Sequence, residues 1–445
     1  MRRGIILGGV VLTLVFALMA SACGSKKSSS SSTSGGGGGG GNATALPASS
    51  CGPLYYQGSG KPDFIIPSDL PLQGSGRTQT IQMTDAIKYI LKNASFKAGK
   101  YNVGYQSCDD STAQAGKWVS GKCSANGNAY AQDKSVIGVI GTFNSGCAAI
   151  IIPILNRANG GPIAMVSPAN TYTGLTAKGP GTAAGEPQKY YPTGKRNYAR
   201  VVAQDQYQGA ADALLAQRLH LKSIYVLNDK EAYGLGVASN FRHAAVKLGI
   251  KIAGFEAIDP KASSYEALAS KIKDKKVGGV FVGSLVCENG GKLIKDLRTT
   301  LGAGVKLLLP DGFTPISAVV EGAGAAAEGV FVSVAGVPNS QLKGAGLSFL
   351  HAFQKVAHKA PDPYSVYAAQ AAIVMLTAIS KSNGTRASVT SNVFRTNLKN
   401  SITGNLAFDA NGDVKGGPVA IYVIKGGKST DYTVIRPPVS LVKSA

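Results

Sequence analysis

Histidine is scarce in this sequence. The four present in 445 residues, His220, His243, His351 and His358, show no metal-ligand spacing with cysteine or carboxylate. Nor does any G-x-S-x-G nucleophile elbow or G-x-x-x-x-G-K-[ST] phosphate loop occur. Gly234-Leu235-Gly236 and Gly322-Ala323-Gly324 are fragments of a dinucleotide fingerprint that lack the third glycine. Asp409-Ala410-Asn411-Gly412-Asp413 starts like a calcium loop without its closing acid, so it reads as a turn. These absences leave no support for an enzyme, a metal or a cofactor. With one tryptophan and basic residues not interleaved with aromatics, nucleic-acid binding is excluded too. Six cysteines are too few for a small disulfide scaffold, and the 57 glycines follow no collagen period. Acidic residues are also few, 24 against 46 basic, for a net charge of +22. The 44% apolar content builds sizeable cores, and the length suits two or three domains.

The first fifty residues set the compartment. Arg2 and Arg3 precede an uncharged run from Gly4 to Ala22, and Cys23 follows directly. A basic end, an apolar core and small residues before a break read as an export signal over residues 1–22. The Cys placement resembles the bacterial lipoprotein signal, which implies acylation at Cys23 and anchoring to the cell membrane. Gly24 to Ser50, with Ser28–Ser32 and Gly35–Gly41, reads as a tether with little to bury. Residues 23–61 are thus expected to be a lipid-anchored tether and lead-in. Residues 1–50 hold four basic and no acidic residues, leaving +18 on the body, a charge that suits an anionic membrane or wall.

From Asp63 the chain alternates short apolar runs with helix-period stretches. Runs such as Phe64–Ile66, Tyr101–Tyr105, Val136–Ile140, Ile163–Val166, Ile224–Leu227, Gly279–Val282 and Val330–Val334 read as buried parallel strands. Met83, Ala86, Ile87, Ile90 and Leu91 form one helical stripe. Such alternation predicts an α/β protein of doubly wound parallel sheets, and the strand count predicts two lobes. The tail from Leu406 to Ile435 reads as antiparallel, turning at Asn411-Gly412 and Gly426-Gly427.

Two strand-end loops carry the functional signal. Val136–Gly141 runs into Thr142-Phe143-Asn144-Ser145, and Pro162–Ser167 runs into Pro168-Ala169-Asn170-Thr171. Open α/β sheets bind ligands beyond the carboxyl ends of their strands, where helix N-termini offer free N–H groups. Hydroxyls at Ser145 and Thr171 suit a carboxylate; helix capping and an ordinary turn explain them equally well. The succession G-V-I-G-T-F-N-S, M-V-S-P-A-N-T, L-N-D-K-E-A-Y-G-L-G and L-P-D-G-F resembles the type I extracytoplasmic solute-binding proteins, above all the branched-chain amino-acid-binding group that feeds ABC importers. The likeness runs from about Asp63 to about Lys425.

The resemblance implies two doubly wound lobes joined by three crossovers, with lobe 1 at 62–199 and 336–404 and lobe 2 at 200–335 and 405–440. It implies that Phe143, Asn144, Ser145, Ala169, Asn170 and Thr171 hold the ligand's carboxylate and part of its ammonium. Tyr233 lines the cleft from the second lobe, and Asp311 pairs with the ammonium where the family commonly has Glu. The implied partners are a small amino acid or related solute and the membrane subunits of an ABC permease. A ligand sensor, or a binder of an amide or urea-like solute, is the alternative. Thr173–Asn197 is longer than the family's connection and is expected to reshape the cleft mouth. Arg77 and Gln79 match no ligand role. Beyond Cys23 five cysteines remain, which allow fifteen ways to make two bridges. The family's bridge near the first-lobe strand ends implies Cys147 with Cys123 or Cys108, leaving Cys287 as the unpaired candidate.

Overall fold

The computed structural model describes residues 42–442. The expected signal, Cys23 and the tether up to Gly41 lie outside them. In chain order come β1 (Phe64–Leu70), α1 (Arg77–Asn93), β2 (Lys97–Ala98), β3 (Tyr101–Asp109), α2 (Ser120–Gln132), β4 (Gly138–Gly141), α3 (Ser145–Asn156), β5 (Ala164–Ser167) and β6 (Tyr198–Arg200). The chain then crosses to α4 (Asp205–Arg218), β7 (Ser223–Asn228), α5 (Ala232–Lys247), β8 (Lys251–Ala257), α6 (Glu266–Asp274), β9 (Gly279–Gly283), α7 (Gly290–Leu301), β10 (Lys306–Leu309), α8 (Ile316–Ala323) and β11 (Phe331–Ala335). It returns as α9 (Ala345–Ala357), α10 (Pro363–Ser380), α11 (Arg386–Phe394) and the hairpin β12 (Asn397–Ser401) and β13 (Gly404–Ala407). A last crossing leads to β14 (Val419–Lys425), β15 (Lys428–Ile435) and α12 (Val439–Val442).

Two large sheets result, ordered β2-β3-β1-β4-β5-β6 and β15-β14-β11-β10-β9-β7-β8, beside the two-stranded β12-β13. The short β2 is antiparallel at one edge, and β14 and β15 form an antiparallel edge that turns at Gly426-Gly427 as expected. The remaining pairings within the two large sheets are parallel, and the β12-β13 hairpin is antiparallel. The central strands of each sheet are covered on both faces, which is why they are apolar on both. In the first lobe Met83, Ile87 and Leu91 of α1 pack with Met375 and Ile379 of α10 on one side. Tyr130 of α2 and Ile151 and Leu155 of α3 cover the other. Helix α10 is long and apolar enough to cross a membrane, but 78% of it is buried as a core element. In the second lobe Val237 and Phe241 of α5 cover one face, and Ile272, Leu293 and Val319 of α6, α7 and α8 cover the other.

One expectation needs correction. The tether was expected to run free to Ser50, yet the chain is fastened to the first lobe from Asn42 on. Ala43 and Leu46 are buried, the Leu46 N–H donates to Gln106 Oε1 at 2.7 Å, and Tyr55 exchanges backbone hydrogen bonds with Tyr105. Two apolar residues in a Gly/Ser-rich segment are too sparse a pattern to reveal a docked strand. The cysteines follow the reading at Cys147 and Cys287 and extend it at Cys108. Cys123–Cys147 is one of the two pairings expected for Cys147, but Cys108 pairs with Cys51, which bolts the lead-in to β3. Cys287 is free.

Candidate functional site

The site is built on the two strand-end loops. Beyond β4, Thr142 Oγ1 donates to the Asn144 carbonyl at 2.7 Å and shapes the turn into α3. Beyond β5, Ser167 Oγ donates to the Thr142 carbonyl at 2.9 Å and accepts from the Asn170 N–H at 2.8 Å. Asn170 Nδ2 reaches back to the Phe143 carbonyl at 2.9 Å, and Ser145 Oγ accepts from the Tyr172 N–H at 3.3 Å. The loops are therefore stitched into one platform. Behind it lies Arg200, fully buried at the end of β6. Its guanidinium donates to the carbonyls of Asn170 at 3.2 Å and Tyr172 at 2.9 Å, to Thr176 Oγ1 at 2.5 Å, and to Asp413 Oδ1 at 2.6 Å. Asp413 ends the turn read from Asp409–Asp413, where Asp409 Oδ1 accepts from the N–H groups of Asn411 and Asp413.

The second lobe brings an acid to this platform. Asp311 follows β10, and its Oδ1 accepts from the Tyr233 hydroxyl at 2.6 Å. That hydroxyl in turn accepts from the Gly312 N–H at 2.7 Å. Asp311 Oδ2 accepts from Tyr364 at 2.5 Å, a contact from the start of α10 that bridges the lobes. Burial raises the Asp311 carboxyl above its ordinary range, and the hydroxyls of Tyr233 and Tyr364 hold the rise in check. Asp205, at the start of α4, is also buried and raised, by desolvation first and by the charge of Asp311.

Between the lobes these groups line a cavity of about 20 Å³, room for little more than one water, so the two walls stand close together. Phe143, Asn144, Ser145, Ala169 and Thr171 line it from the first lobe, and Tyr233 and Asp311 from the second. Of the residues singled out in the sequence, Asn170 alone does not face the cavity; its amide holds the loop that does. Leu285, Gly312 and Tyr364 complete the wall. Tyr364 stands edge-to-face with Phe143, ring centres 5.4 Å apart. No signal marked Tyr364, because it opens a helix from a distant part of the chain, and Leu285 reads as ordinary core. Gln79 is buried with its amide 3.2 Å from Thr314 Oγ1, a contact between lobes, whereas Arg77 is exposed.

Residues 173–197 form a strap at the cleft's edge. Its hub is Glu186, which accepts from Tyr172 and Tyr190 at 2.6 Å each and from the Ala183 N–H at 2.7 Å. Burial pushes this carboxyl up, but the two hydroxyls outweigh it and hold it below the ordinary range. The Pro180 carbonyl accepts from Asn240 Nδ2 of α5 at 3.2 Å, so the strap touches the second lobe. Among the described residues one set of potential metal ligands converges, Asp110 with Cys123 and Cys147. The disulfide between those two cysteines removes their thiolates, so the set does not suit a metal.

Two α/β lobes that close a small polar cavity between their strand ends define a cleft-binding protein. The chain belongs to the periplasmic binding protein family, whose sequence profile matches residues 71–428. The leucine-, isoleucine-, valine-, threonine- and alanine-binding protein of Pseudomonas aeruginosa is 30% identical over half of this chain, which spans 59% of that relative. A Leu/Ile/Val-binding protein homologue of Brucella abortus is 25% identical over 86% of this chain and 95% of its own. Among solved structures, a leucine-binding protein of Thermotoga maritima superposes with a TM-score of 0.72 at 20% identity, covering 84% of this chain and 99% of that one. A solute-binding protein of Rhodopseudomonas palustris in complex with p-hydroxybenzoic acid gives 0.69 at 14% identity, covering 84% of this chain and 97% of that one. These structural likenesses concern the fold.

Proposed function

We propose that this protein is the extracytoplasmic, lipid-anchored solute-binding component of an ABC importer, capturing a small amino acid with an apolar side chain and presenting it to the permease. The observation that carries the reading is the polarity of the cavity. Hydroxyls and backbone of the first lobe at Ser145 and Thr171 face the Asp311 carboxylate of the second, and Phe143, Leu285 and Tyr364 supply apolar wall. A zwitterion needs donors at one end and an acceptor at the other, in a site dry enough to strengthen both. An aromatic carboxylate, as in the Rhodopseudomonas neighbour, brings no cation for Asp311, so the acid favours an ammonium-bearing ligand. The ligand touches both lobes and thereby favours the closed form, whose shape a permease recognises. Membership of the periplasmic binding protein family and the names of the Pseudomonas and Brucella relatives support the amino-acid class.

Calorimetry or thermal shift against an amino-acid panel tests this. A bound amino acid raises the unfolding temperature as its concentration exceeds the dissociation constant. Asp311→Ala and Ser145→Ala are each expected to weaken binding by about 1–3 kcal/mol. No shift with any amino acid refutes the reading. Anchoring is tested separately, since Cys23→Ser should release the protein from the membrane fraction.

A further inference from the structure

Lys117 lies outside the cavity, on the segment between β3 and α2 of the first lobe, and its charge is spent entirely on the second. Its ammonium donates to Glu231 Oε1 at 2.7 Å and also to Glu288 Oε1. Glu231 caps α5 two residues before Tyr233, and Glu288 stands three residues after Leu285. The two carboxylates thus belong to the segments that supply the second lobe's wall. On its own side the neighbouring residue is packed against the first-lobe platform. The indole of the adjoining Trp118 lies so close over Gly146 that a Cβ there would come within 2.4 Å of the ring, and Gly146 adjoins Ser145.

The second-lobe partners form a charge cluster that is costly without the lysine. Asp229 Oδ1 accepts from the Glu231 N–H at 2.9 Å, and Glu288 Oε2 lies 3.5 Å from Ser284 Oγ. Burial and the charge of Glu288 push the Glu231 carboxyl up to about 7, and Asp229 is raised by burial and the same two glutamates. Parting the lobes would leave Glu231 and Glu288 without the ammonium that bridges them, although water then screens them.

We infer that Lys117 is a positioning residue for ligand capture: by bridging Glu231 and Glu288 it stabilises the closed form and draws the Tyr233 and Leu285 segments onto the cavity. This rests on the proposed cleft binding for its effect on affinity, but not for its effect on shape. Closed-state contacts that the ligand does not make raise apparent affinity by raising the fraction of protein that is closed. They act chiefly on dissociation.

The test compares the parent protein with Lys117→Met and Lys117→Arg. Small-angle X-ray scattering without ligand and with saturating L-leucine or L-isoleucine reads the shape, and stopped-flow with the same amino acids reads dissociation. Lys117→Met should enlarge the ligand-free particle or speed dissociation by about tenfold, while Lys117→Arg retains the parent behaviour. A double variant with Glu288→Gln should lose little beyond Lys117→Met alone, because one interaction is removed twice. Unchanged unfolding temperature in Lys117→Met separates a conformational role from a merely structural one. The inference is overturned if Lys117→Met leaves both the ligand-free scattering and the dissociation rate as in the parent. If no amino acid binds the parent, the proposed function fails and the scattering alone decides the role of Lys117.

Discussion

The two lobes share a fold and divide the work unequally. The first carries both disulfides, the stitched loops of residues 142–145 and 167–172, and the buried Arg200 behind them. The second has no disulfide among the described residues; both lobes bury carboxyls, but the second turns one of them, Asp311, toward the cavity. Neutral donors fixed on a cross-linked platform face an acid on a lobe without cross-links. A preorganised half costs little to order when a ligand arrives, whereas the acid half gains most from a cation. The comparison teaches that stability and affinity should be separable by lobe.

The largest effect that would break this division is expected at Arg200. Arg200→Leu leaves Asp413 buried without its cation and should destabilise the protein by about 3–5 kcal/mol in urea unfolding. A small loss would mean that the platform stands without its central ion pair. Next, replacing Cys123 and Cys147 by serine should cost about 2–4 kcal/mol. Wild-type stability in that variant would show that the first lobe does not depend on its cross-link.

The third prediction concerns Asp69 and Asp110, a buried acid pair beside that disulfide. Burial raises both carboxyls, Asp69 from 3.8 to about 6, even though Tyr130 and Asn126 donate to it. A carboxyl raised by folding adds stability below its unfolded pKa and loses it as pH climbs through the folded one. The contribution of Asp69 should therefore fall by at most about 3 kcal/mol between about pH 4 and pH 6, and that of Asp110 adds to the slope. Asp110→Asn should flatten that slope in urea unfolding; an unaltered slope removes the pair as its cause. The smallest effect sharpens the division from the other side. Asp311→Asn should weaken amino-acid binding by about 1–3 kcal/mol in calorimetry while leaving the unfolding temperature unchanged or higher, because a buried charge is removed. Equal loss of stability and affinity would make Asp311 part of the scaffold.

Much of this was legible in the sequence, for a physical reason. Strands buried on both faces are apolar without interruption, so runs such as Val136–Ile140 and Gly279–Val282 announced themselves. Strand β6 did not, because Tyr198–Arg200 contains a charge whose partner, Asp413, lies far along the chain. The cavity residues on loops could be named because ligands sit beyond strand ends, and Phe143, Ser145, Thr171, Tyr233 and Asp311 come together there. Tyr364, Leu285 and Lys117 escaped because their meaning exists only once the lobes meet. Asn170, expected at the ligand, holds the loop with its amide and does not line the cavity, a distinction that depends on where an amide points.

The bolt between Cys51 and Cys108 has a mechanical consequence. Any pull on the amino-terminal side of the body enters β3 of the first lobe through a covalent bond. It bypasses the backbone hydrogen bonds between Tyr55 and Tyr105, which would otherwise peel under load. Force therefore ends on the disulfide-linked lobe, and the second lobe, joined to it by three crossings of the chain, does not bear it.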